Sequence, residues 1–171
     1  MDILDIIRQR RSVRDFTDRD VPPAIIEELV EAVRWAPSAG NLQSRRFYFV
    51  QDEATRRELG KAALNQQFIA RAPLAVVACL DRTISVRYGD RGVNLYAIQD
   101  TSAAVMNLML LAQARGLGTC WVGAFNEFDV IEVLDLPDNL RPIAIVPIGY
   151  PGKAPMGAQK RLPRESVAVF R

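Results

Sequence analysis

Apolar and polar positions alternate along this chain with two periods, one typical of helices and one typical of strands. Between residues 24 and 36, apolar side chains fall three and four positions apart, which predicts an amphipathic helix. Shorter stretches with the same spacing predict helices over residues 3–8, 54–63 and 130–134.

Runs of β-branched, aromatic or continuously apolar residues predict the strands. The run over residues 74–80 has no polar position, which is typical of a strand covered on both faces. The other predicted strands cover residues 46–50, 119–122 and 141–148, with a possible edge strand at 167–170.

Residues 95–115 form a long helical pattern that is apolar on most of its circumference, and Gly116 and Gly118 end it. The preceding residues, 82–93, are polar and contain two glycines, so they are predicted to be a loop. An apolar stretch this short favours a buried helix over a membrane span. Since one small domain rarely surrounds such a helix, we expect a subunit interface to cover part of it.

The whole pattern predicts an α+β fold, with helices around a sheet of four to five strands. The length of 171 residues fits one domain, residues 1–171, and the prolines after Gly149 suggest a C-terminal arm at about 150–171. The acidic N-terminus does not resemble a signal peptide, so we expect a cytoplasmic protein.

Composition excludes several classes of chemistry. With 22 basic and 20 acidic side chains, the net charge of +2 does not require nucleic acid or an anionic membrane as partner. Cys79 and Cys120 stand in apolar runs and are expected in the core rather than at a metal site. The chain has no histidine, which removes catalytic triads and His-ligated zinc. An enzyme of this composition is expected to rely on a cofactor.

Three motifs could carry function. RRSVRDF, residues 10–16, gathers three arginines and a serine that could neutralise a phosphate, although such a cluster is often only a solvated face. APSAGNLQSRRF, residues 36–47, could lie against a flat ligand or simply connect a helix to a strand. GLGTCWVGAF, residues 116–125, has spaced glycines, but a helix precedes it and a strand follows, which is the reverse of a dinucleotide fingerprint.

Together these motifs resemble the FMN-dependent nitroreductase family. Ile148-Gly149-Tyr150-Pro151 and the later Lys160-Arg161-Leu162-Pro163 resemble the C-terminal end of its members, so the resemblance covers about residues 3–165. It implies a nitroreductase-like fold with a mostly antiparallel sheet, and an intertwined homodimer that shares two FMN sites.

The resemblance also implies roles for individual residues. Arg10 and Ser12 would face the FMN phosphate with Arg11 nearby, Arg161 would close that site, and Arg14 would lie at the pyrimidine edge of the ring. Val122 and Gly123 would approach flavin N5, and Asn65 would bond the polar edge of the ring. The partner subunit would supply Pro37, Ser38, Ala39, Asn41 and Gln43.

Two positions depart from the family pattern. The lysine that often follows Asn65 by three positions in the family is Phe68 here. Arg14 would then supply more of the positive charge at the pyrimidine edge, and Gln66 or Gln67 could substitute for the missing lysine. Many relatives have an acidic residue at the position of Val122, a change of little consequence if the backbone makes the contact.

The implied activity is ping-pong transfer of hydride from NADH or NADPH, through the flavin, to a nitroaromatic, a quinone or a similar acceptor. Tyr88, Arg91 and Tyr96 are candidates for contact with that acceptor, or for ordinary loop packing.

Other hypotheses about the function remain open. On the same fold, the chain could fragment flavin, remove halogen from aromatic rings, or carry FMN without turnover. A nucleic-acid-binding module that uses Arg10, Arg11, Arg14, Arg45 and Arg46 is disfavoured by the charge balance.

Overall fold

The computed structural model describes residues 2–153 and 159–171. The α-helices in these residues are α1 (Ile3–Gln9), α2 (Pro23–Arg34), α3 (Glu53–Ala62), α4 (Phe68–Arg71), α5 (Ser85–Arg91), α6 (Ala97–Ala114) and α7 (Glu127–Leu134). The strands are β1 (Arg45–Val50), β2 (Leu74–Asp81), β3 (Gly118–Thr119) and β4 (Leu140–Gly149).

The strands form one antiparallel sheet in the order β1-β2-β4-β3. Arg45 pairs with Leu80 at one edge, and Gly118 pairs with Gly149 at the other. Beyond β3, Ser12 makes a parallel bridge to Thr119, so the opening segment extends that edge. The predicted α+β fold with a four-stranded antiparallel sheet is confirmed.

The sheet lies between two helical layers, as the continuous apolar run of β2 requires. Residues 74–80 of β2 are buried, with alternate side chains in two clusters. One cluster includes Leu59 of α3 and Val130 of α7. The other includes Leu29 of α2 and Leu108 of α6.

Helix α6 confirms the predicted long helix, and it is only partly covered. The helical stretch Arg82–Ala114 is long and apolar enough to cross a membrane by length and composition alone. However, α6 packs against α2 and β2, as expected for a core helix. Met106 remains 39% exposed. A groove of about 670 Å³ lies where α6 meets α1 and α2, with Trp35 and Leu110 in its lining.

Residues 82–93 are mostly helical rather than the predicted loop, with a kink at Gly89, whose φ of 55° and ψ of -150° are not helical. A 3₁₀ turn over Arg82–Ile84 leads into α5, and a π-helical turn over Gly92–Tyr96 joins α5 to α6. Gly92 packs so tightly that a Cβ atom there would lie 2.9 Å from Cβ of Tyr88. This glycine serves close packing inside a helix and does not break it.

Two strand predictions need correction at the C-terminal side. The strand predicted over residues 119–122 is shorter, since β3 covers Gly118–Thr119 and Val122 makes an isolated bridge to Ile145. The edge strand predicted over residues 167–170 does not form. Val167, Val169 and Phe170 are each more than 70% exposed, and no strand among the described residues pairs with them to supply the hydrogen bonds that a strand requires.

Candidate functional site

The RRSVRDF segment is pinned to the sheet edge by its apolar positions. Val13 and Phe16 are buried, and the Val13 N–H donates to the Thr119 carbonyl oxygen at 2.8 Å. Since neighbouring side chains of an extended segment point to opposite sides, Ser12 and Arg14 are exposed. Arg10 follows directly from α1, where its N–H donates to the Ile6 carbonyl oxygen.

The Cys120 thiol is influenced by three of these polar residues. Burial raises the pKa of Cys120, while Arg14, a hydrogen bond with Ser12 and Arg10 act in the opposite direction. All three groups therefore act on the same thiol, and Ser12 lies beside β3 through its bridge to Thr119; arginines and a hydroxyl are groups that suit a phosphate.

The C-terminal arm reaches the same place. Gln159 Nε2 donates to the Arg10 carbonyl oxygen at 2.9 Å. Arg161 donates to the Lys160 carbonyl oxygen at 3.0 Å and to the side-chain oxygen of Gln159. Arg161 is thus anchored to a residue that contacts Arg10, and Arg11 is half-buried in the adjoining segment.

Asn65 lies in a tight connection next to the glycine-rich loop after β3. Leu64 and Asn65 both have left-handed backbone conformations, with φ of 57° and 60°. Gln66 Nε2 donates to the carbonyl oxygens of Ala63 at 2.9 Å and Ala124 at 3.2 Å. Gln66 therefore ties the Asn65 turn to residues 123–125, and its amide is engaged in structural hydrogen bonds.

Val122 and Gly123 differ in what their backbones offer. The Val122 N–H donates to the Ile145 carbonyl oxygen at 2.9 Å, and the Ile145 N–H returns the bond at 2.9 Å. Gly123 is exposed, and a Cβ atom there would meet only Trp121 Nε1, at 3.9 Å. A close ligand contact at this strand end consequently falls to Gly123.

The second group of candidates, residues 36–43, is held at the opposite edge of the sheet. Both carboxylate oxygens of Asp100 accept from the Ala39 N–H, at 3.1 and 3.0 Å. Arg45, the first residue of β1, donates to the carbonyl oxygens of Ala36 at 2.6 Å and Pro37 at 2.9 Å. Burial lowers the pKa of Arg45, and the charge of Asp100 opposes that effect.

The remaining members of this group close the turn. Ser38 Oγ accepts from the Gln43 N–H at 3.0 Å, and Gln43 Nε2 donates to the Asn41 carbonyl oxygen at 3.3 Å. Gly40, Asn41 and Gln43 all have positive φ, between 53° and 56°.

Sheet order separates the two groups within one subunit. Arg45 stands on β1 and the Ser12 segment lies beyond β3, so four strand spacings, about 19 Å, separate them across the sheet. One chain therefore presents the 36–43 segment and the arginine cluster as two separate surfaces.

The acceptor candidates cluster against the 36–43 segment. The rings of Tyr88 and Tyr96 pack edge to face at 5.4 Å, and Arg91 Nε donates to the Tyr96 hydroxyl at 2.9 Å. A Cβ atom on Gly40 would lie 2.5 Å from the Tyr88 hydroxyl oxygen. These residues pack on each other and on Gly40. This packing agrees with one of the two roles that the sequence suggested for them, ordinary loop packing.

Sequence reasoning did not single out Asp100 or assign Arg45 a place in this site. Asp100 is the acidic residue that bounds the apolar stretch of α6, and it is 8% exposed on the same face as Ala97 and Ala104. An acidic residue on the buried face of a helix is a usable signal, since a buried carboxylate needs partners.

Comparison with known proteins yields a consistent set. Residues 7–150 match the Nitroreductase family. A putative NADH dehydrogenase/NAD(P)H nitroreductase of Archaeoglobus fulgidus is 34% identical over 152 residues, covering 86% of this chain and 84% of that protein. An FMN reductase (NADPH) of Bacillus subtilis is 29% identical over 178 residues, covering 96% of this chain and 71% of that protein.

Solved structures agree with the sequence matches. The structure of the NfrA1 nitroreductase of Bacillus subtilis superposes with a TM-score of 0.90 at 26% identity, covering 98% of this chain and 73% of that one. The architecture described above is therefore the nitroreductase fold.

Proposed function

Because the chain belongs to the nitroreductase family, we propose that it is an FMN-dependent NAD(P)H oxidoreductase that works as a homodimer. One observation carries the proposal: Ser12 of the RRSVRDF segment bridges Thr119 of β3, the C-terminal arm reaches Arg10 through Gln159, and the exposed backbone of Gly123 follows the same strand. This combination suits a ligand with an anionic phosphate and a flat ring.

The residues present fit FMN. Arginine and hydroxyl groups are the donors that a phosphate dianion favours, and Arg10, Ser12 and Arg161 are assigned to it. A missing Cβ at Gly123 permits close approach of a planar ring. When bound, FMN supplies a two-electron carrier between NAD(P)H and an acceptor.

The residues of this chain have distinct tasks in that reaction. Arg14 stabilises negative charge at the pyrimidine edge, which a fixed cation does without reorganisation. Asn65 bonds the polar edge of the ring. Pro37, Ser38, Ala39, Asn41 and Gln43 cover the ring from the partner subunit and exclude water.

The exposed apolar surface supports the dimer. Trp35 is 77% exposed and Ile3 is 59% exposed beside the groove between α1, α2 and α6. A contiguous apolar patch of this kind marks an interface. In the dimer that we propose, the 36–43 segment of the second copy covers the arginine cluster, which one chain keeps at the other sheet edge.

The nicotinamide and the acceptor would bind in turn at the same uncovered face of the flavin, which gives ping-pong kinetics. The acceptor class is a nitroaromatic, a quinone or a similar oxidant, and Tyr88, Arg91 and Tyr96 are its proposed contacts.

The test is reconstitution with FMN followed by anaerobic mixing with NADH or NADPH. We expect submicromolar FMN affinity, rapid loss of the visible flavin absorbance, and its return when menadione or nitrofurazone is added. Bound flavin that stays oxidised would indicate a carrier, and fragmented flavin after aerobic turnover would indicate flavin destruction. A colourless protein with salt-dependent DNA affinity would contradict the proposal.

A further inference from the structure

Two charged residues hold the 36–43 segment by hydrogen bonds, one as an acceptor and the other as a donor. Asp100 holds the segment by an amide, since both its carboxylate oxygens lie within 3.1 Å of the Ala39 nitrogen. Arg45 holds it by carbonyl oxygens, through its bonds to Ala36 and Pro37. Arg45 also donates to the Asp100 backbone oxygen at 3.4 Å, so the two residues that hold the segment are bonded to each other.

The segment needs such support because its backbone is strained. Asn41 and Gln43 both adopt left-handed conformations, which side-chain-bearing residues rarely do. Strained residues persist only where the surrounding structure holds them, and they concentrate at ligand contacts. Asp100 is 8% exposed, and its negative charge favours the charged form of Arg45, so the two residues support each other beside the segment.

We propose that Asp100 and Arg45 are positioning residues that preset the 36–43 segment of one subunit to cover the flavin of the other. This inference rests on the proposed function. Neither residue touches the flavin. Each acts through the backbone that it holds. The flavin ring therefore binds to a preformed surface, and binding costs little conformational entropy in the segment.

Three variants test the positioning role. Asp100→Leu removes both acceptor oxygens, and Asp100→Asn keeps one. Arg45→Gln removes the guanidinium group that donates to the Ala36 and Pro37 carbonyl oxygens. We expect FMN Kd to rise at least tenfold in Asp100→Leu and Arg45→Gln, and severalfold in Asp100→Asn. At saturating FMN, iodide should quench the flavin fluorescence more strongly in each variant, because the cover is displaced.

Asp52→Asn is the matched control. Asp52 also accepts a backbone N–H, that of Thr55 at 2.7 Å, but it lies beyond the far end of β1 from Arg45. It should leave FMN Kd and iodide quenching at wild-type values. Should Asp100→Leu fail to fold, Asp100→Asn and Arg45→Gln carry the same test.

A mixed dimer tests the action across subunits. Differently tagged Asp100→Leu and Arg14→Ala chains are co-expressed, and the heterodimer is purified through both tags. The altered 36–43 segment then lies over the altered Arg14, so the other site is intact and should bind one FMN with wild-type affinity. If the segment served its own subunit, each site would carry one defect and neither would bind normally, which would overturn the proposal.

The outcomes separate the two levels of argument. Wild-type FMN affinity and iodide quenching in folded Asp100→Leu and Arg45→Gln would overturn the positioning role and leave the proposed function intact. Absence of FMN binding by the unmodified protein would overturn both.

Discussion

The guanidinium carbon of Arg14 lies 5.8 Å from the ring centroid of Phe68. Phe68 stands where the family resemblance implied a lysine, so an aromatic ring faces the arginine that we propose for the flavin site. Phe68 is 8% exposed, and its ring can hold Arg14 by a cation–π contact. In the flavin site that we propose, this pair would provide one fixed cation at the pyrimidine edge.

Arg14→Ala is expected to weaken FMN binding about tenfold to a hundredfold, the range for loss of a charged contact. It should also shift the two-electron flavin potential negative by about 30 mV or more, since about 30 mV corresponds to a tenfold preference for one redox state. Titration with a redox dye and fluorescence binding measure the two effects.

Arg19→Ala is the control for that change. Arg19 also stacks on an aromatic ring, that of Tyr150 at 3.9 Å, but lies outside the RRSVRDF motif. An unchanged potential in Arg14→Ala, or an equal shift in Arg19→Ala, would refute the role given to Arg14.

Gly123→Val should abolish tight FMN binding without harming the fold. The structure has space at this position, since a Cβ atom would meet only Trp121 Nε1 at 3.9 Å, so thermal unfolding of the apoprotein should change little. The added side chain would instead occupy the surface proposed for the ring. Retention of FMN at wild-type affinity would contradict the assignment of Gly123.

Gly118→Ala should instead destabilise the fold. Its Cβ atom would lie 2.7 Å from Cβ of Val13, so the opening segment must shift. We expect the free energy of unfolding to fall by about 1–3 kcal/mol, as for an overpacked core. Urea unfolding of both glycine variants therefore separates ligand exclusion from structural damage.

Trp35→Glu is expected to dissociate the dimer. The substitution adds a negative charge beside Glu27, Glu28 and Glu31 in the groove, where a second copy would bury it. Analytical ultracentrifugation should show monomers, and FMN binding should be lost with the shared sites. Phe128→Glu, at an 81% exposed position on α7 away from the groove, should remain dimeric.

Alkaline pH should destabilise the protein through Cys79. Burial raises the pKa of its thiol to about 12 from the ordinary value of 9.0. Above about pH 9 the unfolded chain releases a proton that the folded chain retains, so the free energy of unfolding falls as pH rises. This stability is complete below the unfolded pKa and is lost up to about pH 12, at no more than about 1.4 kcal/mol per pH unit.

Cys79→Ala measures that contribution by difference. Urea unfolding between about pH 8 and pH 10 should show a shallower decline in the variant than in the wild type. Identical slopes would indicate that Cys79 is not buried as a neutral thiol.

The sequence by itself determined what depends on local periodicity. The helical spacing of α2 and α6 and the unbroken apolar run of β2 follow from which side chains must leave water, so those elements and their burial were predictable. The three motifs were recognisable because cation clusters and missing side chains have chemical meaning before any fold exists.

Only the tertiary structure decided the features that depend on neighbours distant along the chain. Gly92 counts as a loop residue by propensity, yet close packing on Tyr88 makes it helical. Residues 167–170 have strand composition, yet within residues 2–153 and 159–171 no strand pairs with them to complete their hydrogen bonds. Asp100 meets Ala39 across 61 residues, and no local pattern records a contact that the sheet and α6 create by folding together.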